Sequence, residues 1–137
     1  MTGIDKAYEY LGKQEIRDRK ELMSFMKKYK IYIDPKTTPW CAGFVNACER
    51  SVGKPGTGLL NARSFLKYGK VINRGLTRIG DILVFARGSN GWSGHVAYLL
   101  KWDDANNRVL CLGGNQSDMV CKAWYSQDRL LGIRRYE

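Results

Sequence analysis

Cys41 and His95 are the residues of this chain whose types could carry out covalent chemistry together. His95 is the only histidine among 137 residues, and it lies between Gly94 and Val96. A thiolate is a strong nucleophile, and an imidazole beside it can take the thiol proton and later give it to a departing amine. If the fold brings the two side chains together, the pair predicts a thiol amidohydrolase. Taken alone, Cys41 would be interpreted as core packing and His95 as a hydrogen-bonded structural residue.

The other three cysteines do not form a metal-binding pattern. Cys48, Cys111 and Cys121 show no C-x-x-C spacing, and one histidine does not suit a structural zinc site, so we expect neither a metal nor a cofactor. The segment from Met1 to Lys6 lacks the apolar core of a signal peptide. We therefore expect a protein made in the cytoplasm with reduced thiols, in which these three cysteines pack in the core.

Composition and charge predict one folded domain with an anionic target. The length fits a single domain, residues 1–137, and the 44% hydrophobic and 26% charged residues argue against disorder. No apolar run approaches the ~18 residues of a membrane span. The net charge of +10 favours binding to nucleic acid, an anionic membrane face or a bacterial cell wall. The basic runs 17–20 and 27–30 are each interpreted as solvated helix faces.

The first half of the chain shows helical spacing. Thr2 and Asp5 fit a capping box at a helix start, and Gly12 can end that helix. A second helix is predicted to begin near Asp18, and the segment 31–38 after it is predicted to be a loop. The apolar residues expected to face the core are Ile4, Tyr8 and Leu11 in the first helix and Leu22, Phe25, Met26 and Tyr29 in the second.

A third predicted helix carries Cys41. Thr38 fits its N-cap, and Pro39 suits the first helical position because it lacks the amide hydrogen that would go unbonded there. Cys41 then lies in the first turn, and the helix ends near Gly53. The helix dipole and the free amides of that turn favour a thiolate, and the same amides could stabilise an oxyanion on a substrate carbonyl.

The second half of the chain predicts antiparallel strands. A short helix is expected over 61–68, and after Gly80 the pattern changes to short apolar runs separated by turn residues. The predicted strands are 81–85, 95–102, 108–112, 120–124 and 131–136. Asp81 is interpreted as the end of a turn, without a catalytic role. Helices followed by antiparallel strands define an α+β domain, with the N-terminal helices packed on the sheet.

Five motifs in a fixed order connect these elements to a known family. They are Pro39-Trp40-Cys41-Ala42-Gly43-Phe44-Val45, Ala62-Arg63-Ser64-Phe65 with Tyr68-Gly69, Gly80-Asp81-Ile82-Leu83-Val84-Phe85, Gly94-His95-Val96-Ala97 and Gly113-Gly114-Asn115-Gln116-Ser117. Together they resemble the CHAP and NlpC/P60 cysteine peptidases, in particular the small bacterial and phage branch, over nearly the whole chain. The resemblance implies a papain-like fold, in which a helix with the nucleophile packs on an antiparallel sheet with the histidine. It also implies cleavage of amide bonds in the peptide part of peptidoglycan.

Carried over by position, the resemblance makes Cys41 the nucleophile and His95 the general base and acid. A third polar residue should orient the imidazole and fix its tautomer. Asn115 is the first choice, because it lies on the strand or turn just after the strand with His95. Many relatives have an acidic residue near this point, so Gln116 and Asp118 stay as alternatives, and Asn115 after two glycines is also a common turn signal.

Trp40, Trp92 and Gln116 are the predicted substrate contacts. Aromatic faces suit sugar and peptide groups, although both tryptophans could equally be half-buried packing residues.

The leading hypothesis is a peptidoglycan hydrolase of the endolysin type, an amidase or an endopeptidase, that forms a thioester on Cys41. It would act as a monomer on the cell wall, adsorb to the anionic envelope through its basic surface, and leave the cytoplasm through a partner such as a holin. A secreted antibacterial effector of the same chemistry would instead need an immunity protein. A different class of function is a non-catalytic module that binds cell wall or another polyanion.

Overall fold

Three short helices precede a six-stranded antiparallel sheet in the computed structural model, which describes residues 1–137. The α-helices are α1 (Gly3–Tyr8), α2 (Arg19–Lys28) and α3 (Cys41–Ser51). The strands are β1 (Lys70–Val71), β2 (Ile82–Ala86), β3 (Gly94–Asp103), β4 (Arg108–Gln116), β5 (Met119–Ser126) and β6 (Leu130–Arg135), and their order in the sheet is β1-β6-β2-β3-β4-β5. The predicted α+β class is confirmed. The predicted short helix at 61–68 is a 3₁₀ helix, Ala62–Lys67, and the short exposed strand β1 was not predicted.

The first helix begins as predicted but ends early. The Asp5 carboxylate accepts the backbone N–H of Thr2 at 2.7 Å, so the capping box forms. The helix ends at Tyr8 rather than near Gly12, because the following backbone bonds span three residues instead of four. Tyr8 is 40% exposed and Leu11 is 44% exposed, so the prediction that these two side chains face the core is wrong.

The second helix and the loop after it agree with the predictions. α2 begins directly after Asp18, and its buried residues are Leu22, Phe25 and Met26. The ring of Tyr29 packs edge-on against that of Phe25. Segment 31–38 contains neither helix nor strand. No helix of the structure has the length and apolar character that crossing a bilayer would need.

The helix that carries Cys41 begins two residues later than predicted. Thr38 is not the N-cap and Pro39 is not the first helical residue, because the Trp40 carbonyl accepts the first helical bond, from the N–H of Phe44 at 2.9 Å. Trp40 takes the cap position without a side-chain capping bond, and Cys41 is the first helical residue. The prediction that Cys41 lies in the first turn is confirmed.

The side chains of the sheet alternate between two apolar faces. On β3, Val96 and Tyr98 lie in the cluster that also contains the helices, whereas Ala97 and Leu99 lie in the opposite cluster. Because side chains of a strand alternate strictly, His95 belongs to the face opposite the helices.

Strand β4 continues beyond the predicted strand 108–112 and through two glycines. Its pairing with β5 is interrupted between Gly113 and Gln116, and Asn115 has a φ of 58°. An irregularity of this kind is a bulge, which changes the face to which the next side chain points. Gln116 is therefore directed by the bulge and not by simple alternation along the strand.

Trp40 is completely buried between α3 and β4. Its ring packs edge-on against that of Phe44, with centroids 6.0 Å apart, and its indole N–H donates to the Glu15 carboxylate at 3.0 Å. A Cβ atom added at Gly114 would lie 2.7 Å from a ring carbon of Trp40. The absence of a side chain at Gly114 thus sets the distance between the start of α3 and the sheet.

Gly114→Ala should destabilise the protein by about 1–3 kcal/mol, because the extra methyl group must push the buried Trp40 ring aside. Gly75→Ala is the matched control, since a Cβ at that exposed glycine meets no atom within 4 Å. The control should leave the free energy of unfolding unchanged within about 0.5 kcal/mol. Urea unfolding of the three proteins measures both effects. Equal stabilities of the Gly114 and Gly75 variants would contradict the close packing.

Candidate active site

Cys41 lies at the amino end of α3, where its thiol meets unpaired backbone amides. The first N–H groups of a helix have no carbonyl partner within it. The amides of Cys41 and Ala42 face the sulfur, and so does the amide of Val96 on β3. The helix therefore places the thiol against β3, next to the residue that follows His95.

The Val96 amide has no partner in the sheet, because β4 does not pair with this end of β3. Hydrogen bonds between β3 and the chain before it, such as that from the Leu99 N–H to the Asp81 carbonyl at 2.8 Å, use odd-numbered residues of β3. In an antiparallel pair the next residue then points its N–H the other way, so Val96 faces away from β2. On that side β4 pairs with β3 only from Tyr98 onward. The gap between the strands is where the amino end of α3 meets the sheet.

Burial raises the pKa of the Cys41 thiol above its ordinary value. The side chain is 5% exposed, and the amides of Val96, Ala42 and Cys41 together with the charge of Arg87 oppose the effect without overcoming it. The amides of the helix end favour a thiolate, as expected, but burial outweighs them, so the net shift of the thiol pKa is upward. The resting thiol is protonated at neutral pH.

Gln116 holds His95 at one ring nitrogen. Its Oε1 lies 2.8 Å from Nε2 of His95. The other end of the amide, Nε2 of Gln116, donates to the carbonyl of Cys121 at 2.6 Å and to that of Cys111 at 3.4 Å, so the oxygen must face the imidazole. An amide oxygen can only accept, and Nε2 of the neutral imidazole therefore carries the hydrogen. The lone pair that can act as a base is on Nδ1.

Two more side chains contact the imidazole. Nη2 of Arg87 lies 3.4 Å from Nδ1 of His95. The ring of Tyr125 stacks on the imidazole, with centroids 4.9 Å apart, and its hydroxyl lies 3.1 Å from Nε2. Tyr125 also stacks on Phe85, with centroids 5.1 Å apart. The imidazole is thus fixed at both nitrogens and on one face.

Burial lowers the pKa of His95 from 6.5 to about 4. The hydrogen bond to Gln116 opposes the shift, and the charge of Arg87 adds to it. His95 is 1% exposed and is neutral at pH 7. The structure contains no hydrogen bond between Cys41 and His95, so the resting site holds a neutral thiol and a neutral imidazole and not an ion pair.

Of the three residues proposed to orient His95, only Gln116 contacts it. Asn115, the first choice, occupies the bulge with a φ of 58°, and its side chain forms no hydrogen bond within the protein. Asp118 is exposed in the turn between β4 and β5. The structure therefore corrects the choice of Asn115, because the bulge directs the following residue to the imidazole.

The predicted substrate contacts lie in very different surroundings. Trp40 is completely buried and cannot line a surface groove, so its side chain packs in the core instead. Gln116 is 2% exposed and is occupied by His95 and backbone carbonyls. Trp92 is 74% exposed on the loop between β2 and β3, next to the strand with His95. Trp92 is the one predicted contact that a substrate could reach without rearrangement of the core.

The four cysteines are all free thiols. Cys48 and Cys111 are fully buried, in agreement with their predicted packing role. Cys121 is only half-buried, and its thiol donates to the Gln116 carbonyl at 3.2 Å. No group of three or more His, Cys, Asp and Glu side chains lies close enough together to hold a metal ion.

Comparison with known families connects this geometry to one of them. Residues 33–115, more than half of the chain, match the model of the CHAP domain family. The chain belongs to the CHAP domain family. CHAP domains are in general hydrolases that depend on a cysteine and a histidine, and the family indicates peptidoglycan as the substrate. The resemblance noted in the sequence is thereby confirmed. No curated protein matches the chain.

Sequence reasoning on this CHAP domain missed Arg87 and Tyr125 as neighbours of the imidazole. A signal for Arg87 was present, because a β2–β3 hairpin that pairs Phe85 with His95 places Arg87, two residues later, on the same face. Tyr125 lies on β5, which is separated from β3 by β4, and only the curvature of the sheet brings its ring to His95. No local sequence pattern contains that information.

His95→Gln should remove a pH-dependent part of the stability of this CHAP domain. When the pH falls below 6.5, the unfolded chain binds a proton that the folded chain, with its His95 pKa of about 4, does not bind. The free energy of unfolding of the wild type should therefore decrease by about 2 kcal/mol more than that of the variant between about pH 7.5 and about pH 5. Urea unfolding at the two pH values measures this difference. Parallel pH profiles would contradict a lowered pKa.

Proposed function

We propose that this CHAP domain hydrolyses an amide bond in the peptide part of bacterial peptidoglycan through a thioester on Cys41. The observation that carries the proposal is the hydrogen bond between Gln116 Oε1 and His95 Nε2, which leaves Nδ1 as a base. The strand that bears this imidazole faces the Cys41 thiol through the Val96 amide. Family membership supports the substrate class.

The first half of the proposed reaction forms the thioester. Nδ1 of His95 takes the thiol proton as Sγ of Cys41 attacks the amide carbonyl, since both groups are neutral at rest. The carbonyl oxygen becomes negative, and the free amides of Cys41 and Ala42 at the start of α3 are suited to donate to it. The C–N bond then breaks, and the imidazolium returns its proton to the departing amine.

The second half of the proposed reaction releases the acid. Nδ1 of His95 takes a proton from water as the water oxygen attacks the thioester carbonyl. The C–S bond breaks, and Cys41 recovers its proton from the imidazolium. In both halves Gln116 keeps the hydrogen of the neutral ring on Nε2, so that Nδ1 is always the nitrogen that exchanges the proton. The mechanism needs no cofactor.

The charge of the protein suits an anionic envelope as the site of action. Lys27, Lys28 and Lys30 lie at and just beyond the end of α2, are exposed, and form no ion pair. Together with the net charge of +10, such solvated lysines favour adsorption to a polyanionic wall. We propose an endolysin-type enzyme that works as a monomer, with residues 1–137 as one catalytic domain.

Cys41→Ala should fold normally and release no fragments from purified peptidoglycan, whereas the wild type should release them. Cys48→Ala is the matched control, because that cysteine lies on the same helix, is fully buried and has no proposed role in the reaction. Mass spectrometry of the fragments measures the reaction, and the new chain ends distinguish an amidase from an endopeptidase. Equal digestion by a folded Cys41→Ala protein would exclude the mechanism, and a folded wild type that binds the wall without cutting it would indicate a binding module.

Gln116→Ala should lower kcat by roughly 100-fold with a smaller effect on KM, because the imidazole loses the partner that fixes its tautomer. Asn115→Gly is the matched control, since glycine tolerates the positive φ of the bulge and removes only the side chain. This control should retain nearly full activity. Steady-state kinetics on a soluble muropeptide separates the two. A larger loss of kcat in the Asn115 variant would return the orienting role to Asn115.

A further inference from the structure

Arg87 presents a cation to the nitrogen of His95 that must act as the base. Its Nη2 lies 3.4 Å from Nδ1, the nitrogen that Gln116 leaves with a lone pair. A guanidinium can only donate, so Arg87 occupies the lone pair that has to receive the thiol proton. In the free protein, the base is therefore blocked by a neighbouring side chain.

The same guanidinium has no carboxylate partner in the protein. Arg87 takes part in none of the ion pairs of the chain. The residue as a whole is exposed, although its head group reaches a buried imidazole. An arginine on a nitrogen lone pair at 3.4 Å is weakly held compared with an arginine paired to a carboxylate, for which its planar fork is suited.

The loop that carries Arg87 is held in place by other residues. Arg63 donates from Nε to the carbonyl of Ser93 at 3.0 Å and from Nη2 to that of Asn90 at 3.2 Å. Oδ1 of Asn90 accepts the N–H groups of Ser93 at 2.6 Å and of Trp92 at 3.0 Å. These bonds fix the backbone of the loop, so the Arg87 head group can change position by side-chain rotation alone.

We propose that Arg87 binds a carboxylate of the substrate close to the scissile amide, and that this binding moves the guanidinium away from Nδ1 of His95. The proposal rests on the proposed function of Cys41 and His95 and specifies it. The substrate class is an amide with a free carboxylate within reach of the reacting carbonyl, in preference to the same amide with a neutral carboxamide. Arg87 is then both a specificity-determining residue and the group that keeps the base occupied until such a substrate arrives.

The charge of Arg87 is consistent with this arrangement. Burial is the largest influence on the pKa of both reacting groups, raising that of Cys41 and lowering that of His95, and the Arg87 charge lowers both. An unpaired cation at this place opposes the imidazolium that forms during attack. A bound carboxylate would cancel that charge at the moment when the imidazolium must form.

Alkylation of Cys41 by iodoacetate and by iodoacetamide tests the proposal on the full chain. The two reagents share the same reacting carbon and leaving group and differ in a carboxylate against a carboxamide. The rate ratio of iodoacetate to iodoacetamide at Cys41, measured by mass spectrometry of the Cys41 peptide, should exceed the ratio for glutathione by roughly tenfold. Arg87→Gln should bring the ratio to the glutathione value, and Arg87→Lys should retain part of the preference.

Arg129→Gln is the matched control, because it removes an exposed arginine that forms no ion pair and lies in the turn between β5 and β6. It should leave the ratio at the wild-type value. A Cys41 that reacts fast with both reagents at the glutathione ratio would overturn the role of Arg87 and leave the proposed nucleophile intact. Equal digestion of peptidoglycan by the wild type and by a folded Cys41→Ala protein would overturn the proposed function and the role of Arg87 with it. A ratio lowered equally by the Arg129 and Arg87 changes would reduce the effect to overall charge and would overturn carboxylate binding by Arg87.

Discussion

The packing of the Trp40 ring on the backbone of Gly114 is the contact on which the candidate site depends. The carbonyl of Trp40 starts α3 and its ring fills the space between α3 and β4, so one residue sets both the position of the helix and its first turn. Cys41 follows directly. The same stretch of β4 that receives the ring continues into the bulge that directs Gln116 to His95. The proposed nucleophile and the proposed base are therefore positioned by two ends of one packed unit.

Burial gives this site a resting state without charge separation. Two buried charges would be expensive to desolvate, and the structure avoids that cost by holding a neutral thiol and a neutral imidazole. During attack the oxyanion and the imidazolium carry the new charges. The helix amides can then donate to the oxyanion, and Gln116 Oε1 accepts the hydrogen bond from Nε2–H of the imidazolium. An amide oxygen stabilises an imidazolium less than a carboxylate would, which agrees with the low pKa of His95. The site is thus arranged to react without first forming a stable thiolate.

The sequence was sufficient to predict those features that depend on a single residue type or on the spacing of apolar residues. A single histidine and a cysteine after Pro39-Trp40 pointed to Cys41 and His95 as the candidate pair, and the change from helical spacing to short apolar runs predicted the α+β class. It was insufficient where tertiary contacts decide. The local preferences of Thr38 and Pro39 favoured an earlier helix start, but the buried ring of Trp40 fixes the start at Cys41.

The choice between Asn115 and Gln116 as the partner of His95 also could not be made from the sequence alone. In a regular strand, neighbouring side chains point to opposite faces, so the one extra residue of the bulge reverses which of them reaches the imidazole. Two glycines in the sequence indicated an irregular backbone, but the register with β5, from Gly113–Cys121 to Gln116–Met119, is what assigns the side chain. That register depends on contacts between strands and is absent from any local pattern.

Because Cys41 and His95 are buried, part of the binding energy of a substrate must be used to reach them. The loop with Arg87 and Trp92 is anchored by Arg63, and the exposed Trp92 offers an aromatic face for groups away from the reacting carbonyl. Binding energy from those groups can be used to displace the guanidinium from Nδ1 and to exclude water from the thiol. Interactions used in this way lower the barrier of the chemical step and leave the affinity for substrate modest. A wall polymer, which presents many equivalent bonds at high local concentration, is a substrate for which a fast step matters more than tight binding.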